Sequence, residues 1–179
     1  MTDEQDAVRR CHMGDREAFR PIVERYGDVL MGTIYLMTRD RAVSEELVQE
    51  TFVRAWNGIG TFRLGQPLKP WLVRIAVNQA LNAKARRQVP VEPLSEANAG
   101  SSTDPGFSRA DDRDEVQWAL SQLSADHRRV VVLRYFADLS TKEVANALGI
   151  REGTVKSRLS RALEQLQEIV AHRGPGVER

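Results

Sequence analysis

The sequence predicts an all-α chain: two small helical domains joined by a flexible linker, the second ending in a helix-turn-helix. Three observations predict it. Apolar residues recur at three- and four-residue steps along most of the 179 residues, and β-branched alternation is scarce. A stretch rich in Pro, Ser, Gly and Ala, residues 89–110, interrupts the pattern and has no period of its own. The helical pattern then resumes and runs to residue 173. The domains therefore read as 1–88 and 111–173.

In the first block, residues 17–38 carry Phe19, Ile22, Val23, Tyr26, Val29, Leu30, Ile34 and Met37 on one stripe, with Asp15 ahead of them as a cap. The next helix opens at Asp40 or Ser44 and ends at Gly58 and Gly60. Its buried stripe is Val43, Leu47, Val48, Thr51, Phe52 and Trp56, while Glu45, Glu46, Gln49, Glu50 and Arg54 take the other faces. The loop TFRLGQPLK leads to a third helix, with Pro70 in its first turn. Trp71, Leu72, Ile75 and Ala76 start its stripe; Gln79, Ala80, Ala83 and Arg87 are expected on its exposed side. Trp71 at this spacing is expected in the core rather than as a stacking platform.

The second block restarts with Asp111, Asp112, Asp114 and Glu115, acids that favour a helix N-terminus through the macrodipole. Val116, Ala119, Leu120 and Leu123 form that helix's apolar face. Ser124 caps the following helix, which carries Val130, Val131, Leu133, Arg134 and Tyr135. The hairpin LSTKEVANALGIREGTVKSRLSRALEQL comes next, starting at Leu139. Ser140 and Glu143 are spaced as a capping box, and Gly149 can take the left-handed conformation that stops a helix. Val144, Ala145 and Leu148 face inward, and Ile150 fills the space under the turn.

Two helices joined by a glycine turn are the features of a helix-turn-helix. In the second of them, Val155, Leu159, Ala162, Leu163 and Leu166 form the buried face. Thr154, Ser157, Arg158 and Arg161 are expected opposite, with Lys156 at the flank and no acid on that face after Glu152. Such a helix suits the major groove, where Arg158 would meet guanine and Lys156 and Arg161 would meet phosphates. The plainer reading is an amphipathic hairpin with a solvated basic face.

Charge and composition narrow the classes. Residues 1–88 hold 14 Lys and Arg against 11 Asp and Glu; residues 89–115 hold 2 against 7; residues 116–179 hold 10 against 7. Two mildly basic blocks thus flank an acidic connector, a distribution that attracts nucleic acid at both ends. No apolar run approaches the roughly 18 residues of a membrane span, so no membrane insertion is expected. The polar N-terminus does not read as a signal peptide, and the single Cys11 fits a reducing compartment, so a cytoplasmic location is expected. His12, His127 and His172 are scattered, and no metal spacing, nucleophile elbow or phosphate loop occurs. Catalytic residues, metal and cofactor are therefore expected to be none.

LSTKEVANALGIREGTVKSRLSRAL resembles the C-terminal helix-turn-helix of the extracytoplasmic-function (ECF) sigma factors of the sigma-70 family. GTVKSRLSRA is its most specific part. SEELVQETFVRAW resembles the same family's helix that docks on the β′ coiled coil of RNA polymerase. PWLVRIAVNQALNAKARR resembles its helix that recognises and melts the minus-ten element. The resemblance covers residues 18–87 and 115–166.

It implies a first domain that binds core polymerase through Glu45, Glu46, Gln49 and Glu50. In that domain Phe62, Arg63 and Asn78 would hold a flipped base, beside Gln79. Asn82, Lys84, Arg86 and Arg87 would track the strand. The second domain would bind the minus-thirty-five element and the β flap, and an anti-sigma factor would control the chain. Two departures stand out: the loop's Leu64-Gly65-Gln66-Pro67 is more apolar than usual, and Arg151 sits where many members have proline, which costs preorganisation and would add a phosphate contact. The alternative weighed beside it is a stand-alone helix-turn-helix regulator, whose first domain would sense or dimerise.

Overall fold

The computed structural model describes residues 3–87 and 110–173. The chain divides into two compact units, Met1–Ser102 and Thr103–Arg179. Both are helical, and no strand occurs among the described residues. The linker expected at 89–110 lies outside the described residues, apart from Ala110.

The first unit holds α1 (Asp3–His12), α2 (Arg20–Thr38), α3 (Arg41–Gly58) and α4 (Leu68–Arg87). Helices α2, α3 and α4 pack mutually around Leu30, Ile34, Leu47, Leu68, Leu72, Val73 and Val77, all buried. Helix α1 buries only Val8 and Cys11. It packs on short 3-10 turns at Glu17–Phe19 and Ile59–Thr61 and against α2. The Tyr26 hydroxyl donates to the Glu4 carboxylate across that seam. Burial, then the bond to Glu4, pushes the Tyr26 phenol well above its ordinary value. Burial likewise pushes the Cys11 thiol up.

Capping chemistry explains most helix ends. Asp15 Oδ1 accepts from the Glu17 amide at 3.0 Å and starts the turn before α2. Of the two caps expected for α3, Asp40 serves: its Oδ1 accepts from the Val43 amide at 3.0 Å. Ser44 is buried instead, and its hydroxyl donates to the Asp40 carbonyl. Thr33 and Thr51, also buried, donate to carbonyls one turn back, so hydroxyls inside the bundle are satisfied within their own helices. Helix α3 does end at Gly58, but with φ −96° it passes into the 3-10 turn rather than reversing through a left-handed cap.

The second unit holds α5 (Ala110–Gln122), α6 (Ala125–Val131), α7 (Thr141–Leu148) and α8 (Glu152–Arg173). Ser124 caps α6, accepting from the His127 amide at 3.2 Å. The Arg128 guanidinium reaches back to the end of α5, donating to the carbonyl of Leu120 at 2.9 Å and to that of Leu123, just past the helix, at 3.1 Å. The Leu120 carbonyl also accepts from the Leu123 amide at 3.3 Å. Helix α6 widens into a π turn over Val132–Phe136, which the sequence pattern did not indicate. The core is Val130, Val132, Leu133, Leu139, Val144, Val155 and Ala162. Six expected core residues of this unit depart from their stripes: Val116 and Leu163 are exposed, and Leu148, Ile150, Leu159 and Leu166 are only half-buried, while Ala147 takes a buried place.

Candidate nucleic-acid interface

The hairpin of the second unit is built as its chemistry requires. Ser140 Oγ accepts from the Glu143 amide at 3.3 Å, and the Glu143 carboxylate accepts from the Ser140 amide at 2.7 Å. Two orphan amides of α7 are thereby satisfied. Gly149 ends the helix at φ +66°, a conformation that costs a residue with a Cβ. Helix α8 then starts from the Arg151 carbonyl, which accepts from the Thr154 and Val155 amides.

Val155 and Ala162 are fully buried, and they fix the roll of α8. Its outward face is centred on Ser157, with Gly153, Ser160 and Arg161 exposed beside it and Thr154 half-buried. Arg151 and Lys156 are exposed as expected of phosphate contacts. Arg158 is a correction. Helix geometry puts it about 100° from Ser157, on the flank. There its Nη2 donates to Asp126 Oδ2 of α6 at 2.6 Å. The outward face is also not free of acid: Glu164 lies on it two turns beyond Ser157 and accepts from the Ser160 hydroxyl at 3.0 Å. Beyond Glu152, the outward face of the first two to three turns of α8 carries no acid, and these are the turns that a recognition helix sets in a groove.

In the first unit, the loop after the Ile59–Thr61 turn exposes Arg63, Leu64 and Gln66, with Gly65 at φ +85°. Phe62 does not share that exposure. It is 8% exposed, and its ring lies 5.1 Å from that of Trp71 at 55°. Trp71 is half-buried under it and also faces Gly58, where an added Cβ would sit 3.6 Å away. Phe62 thus departs from a base-holding role and anchors the loop.

Helix α4 presents Arg74, Asn78 and Asn82 at four-residue steps, all exposed. Arg74 was missed in the sequence, although counting four back from Asn78 finds it. Gln79 is a second correction. It is buried, and its Nε2 has no hydrogen-bond partner among the described residues. Ala80 is buried with it, so α4 turns a wider apolar face inward than the stripe suggested. Lys84, Arg86 and Arg87 fall on the last turn of α4, where their side chains lie outside the described residues.

On α3, Glu45, Glu46 and Gln49 are exposed and Glu50 is half-buried. Glu45 accepts from Arg41 at 2.8 Å and Glu50 from Arg54 at 2.7 Å, each one turn away. Val53, 59% exposed, lies within the arc those residues span and was not foreseen as a contact. Phe52 and Trp56 are half-buried and meet Phe19 edge-on at 6.2 and 5.5 Å, as core aromatics do. No His, Cys, Asp and Glu group suited to a metal occurs among the described residues.

Comparison with known proteins bears on both units. Residues 22–89 match Sigma-70 region 2, and residues 113–166 match Sigma-70, region 4. The chain is 32% identical to the RNA polymerase sigma-H factor of Pseudomonas aeruginosa, over 95% of this chain and 96% of that one. It is 30% identical to the ECF RNA polymerase sigma factor SigW of Bacillus subtilis, over 90% and 93%. Among solved structures, RpoE in complex with the anti-sigma factor NepR from Bartonella quintana matches with a TM-score of 0.68 at 28% identity, over 86% of this chain and 96% of that one. CnrH in complex with the cytosolic domain of CnrY shares the fold, with a TM-score of 0.72 at 24% identity, over 96% and 99%.

Proposed function

This chain belongs to the ECF group of the sigma-70 family, factors that direct RNA polymerase to promoters, and from that premise we propose how its residues divide the work. The relatives extend through both units, so a stand-alone helix-turn-helix regulator is not the function. The exposed arc of α3, Glu45, Glu46, Gln49, Glu50 and Val53, docks on the β′ coiled coil of core polymerase. The first unit then opens the minus-ten element. Arg63 on the loop and Asn78 on α4 meet the base that leaves the stack. Arg74 and Asn82 follow the strand, together with Lys84, Arg86 and Arg87. Unstacking a base costs a few kcal/mol, which contacts made only to the opened strand offset.

The second unit reads the minus-thirty-five element with Thr154, Ser157 and Arg158 and grips its phosphates with Arg151, Lys156 and Arg161. It contacts the β flap as well. In this reading the chemistry of transcription is the polymerase's. We place the factor in the cytoplasm, under an anti-sigma factor, as the Bartonella quintana factor binds NepR. No described helix is long and apolar enough to cross a membrane.

The observation that carries this reading is the pair of outward donor faces, one per unit: Arg74, Asn78 and Asn82 on α4, and Lys156, Ser157 and Arg161 on α8. Each block is only mildly basic, so neither face alone holds promoter DNA tightly. The test is DNA binding with and without core polymerase at physiological salt. Promoter-specific retention is expected only with core polymerase. Sub-micromolar specific binding by the free chain would contradict it.

A further inference from the structure

We propose that Asp126 is a positioning residue for upstream-element readout, one that sets base discrimination by holding Arg158 without itself touching DNA. The inference rests on the reading of α8 as the upstream-element reader.

Asp126 stands in the first turn of α6 and divides its two oxygens between two arginines. Oδ2 accepts from Arg158 Nη2 at 2.6 Å, and Oδ1 accepts from Arg129 Nη1 at 3.0 Å. Arg129 lies one turn further along α6, so it fixes the carboxylate from behind. An isolated ion pair on an open surface contributes little. This one differs in geometry. Both arginine side chains are mostly covered, at 28% exposed for Arg158 and 21% for Arg129, while Asp126 is 48% exposed.

The register between the helices is held by a second tether. His127 Nδ1 and Gln165 Oε1 are 2.9 Å apart, and Gln165 is two turns beyond Arg158 on the same flank of α8. Helix α6 therefore lies along that flank and keeps Asp126 beside Arg158.

What this does to Arg158 follows from the guanidinium. It has five N–H donors in a rigid plane, and Asp126 engages Nη2. The remaining donors keep their fork, now with its plane fixed before any DNA arrives. A preorganised fork loses less freedom on binding a base or phosphate pair. The charge also stays favourable, since two cations on one carboxylate leave the cluster positive. Sequence could not show this: Asp126 and Arg158 are brought together only by the packing of α6 on α8.

The experiment uses the full chain with core polymerase, and measures open-complex formation on promoters whose minus-thirty-five element is varied one base at a time. Arg158→Ala is expected to flatten preference at one base position. Asp126→Asn is expected to lower discrimination at that same position by about five- to tenfold, the range of a weakened base contact. In the Arg158→Ala background, Asp126→Asn should add nothing further at that position. Binding to unrelated duplex should rise for Asp126→Asn, because one negative charge is gone.

Two results overturn the proposal. One is Asp126→Asn changing initiation by the same factor at every element, which would make Asp126 only a repulsive charge or a support of the α6 fold. The other is Asp126→Asn shifting preference equally with and without Arg158. Failure of the underlying reading looks different: Arg158→Ala would then leave every base preference as it was.

Discussion

The rings of Phe62 and Trp71 pack with centroids 5.1 Å apart, which ties the start of the exposed loop to the first turn of α4. Arg63 leaves the fold directly after that anchor, so the path of the loop depends on a buried contact rather than on the loop's own residues. Phe62→Ala is expected to cost the first unit about 3 kcal/mol, at the low end for a buried Phe. It should also reduce promoter opening by displacing Arg63. Urea unfolding of the full chain followed through both units checks the first expectation: one transition should move and the other stay. A transition unchanged within about 0.5 kcal/mol would mean the ring is dispensable.

Val53 is exposed on α3 between carboxylates that are already held by Arg41 and Arg54. An apolar side chain in such an arc gains most when a partner covers it, as anchors at the centre of an interface do. Val53→Asp is expected to weaken binding to core polymerase about tenfold, or about 1.4 kcal/mol. Thermal unfolding should change little, because the site is at the surface. A titration of labelled core polymerase measures it, and an unchanged affinity would remove Val53 from the docking face.

Asn78 is exposed in line with Arg74 and Asn82. If it meets a base that has left the stack, its contact exists only after opening. Asn78→Ala should therefore leave the initial complex within about twofold and lower permanganate reactivity of the opened strand by about tenfold, the loss expected of one polar contact. Arg74→Ala should instead weaken the initial complex on all promoters alike. Equal loss in both steps for Asn78→Ala would sink the opening role.

How far the sequence carried these assignments depended on whether the deciding contact was local. The capping box at Ser140 and Glu143, the Asp40 cap and the left-handed Gly149 each depend on residues three or four apart; the box and the glycine were legible, and the cap was narrowed to Asp40 or Ser44. Gln79 was not. Alanines at 76 and 80 are small enough to be read on either face, and the structure buries both, drawing Gln79 inside with them. Arg158 was misplaced for a different reason, since its partner lies 32 positions away on another helix. Val116 and Leu163 fit their stripes by spacing, yet both stay exposed while Ala119, Leu120, Val155 and Ala162 on the same stripes are buried. The π turn at Val132–Phe136 left no mark in a run of apolar residues that suits an ordinary helix equally well.

In the proposed division of labour, one chain places RNA polymerase with its second unit and opens DNA with its first. The decisive measurement is run-off transcription with core polymerase and this chain, over a library of promoter fragments with 5′ ends sequenced. Defined start sites that require two spaced elements are expected. Arg161→Ala should lower use of the upstream element, and Asn78→Ala should lower opening at the downstream one. Starts no more specific than those of core polymerase alone would contradict it.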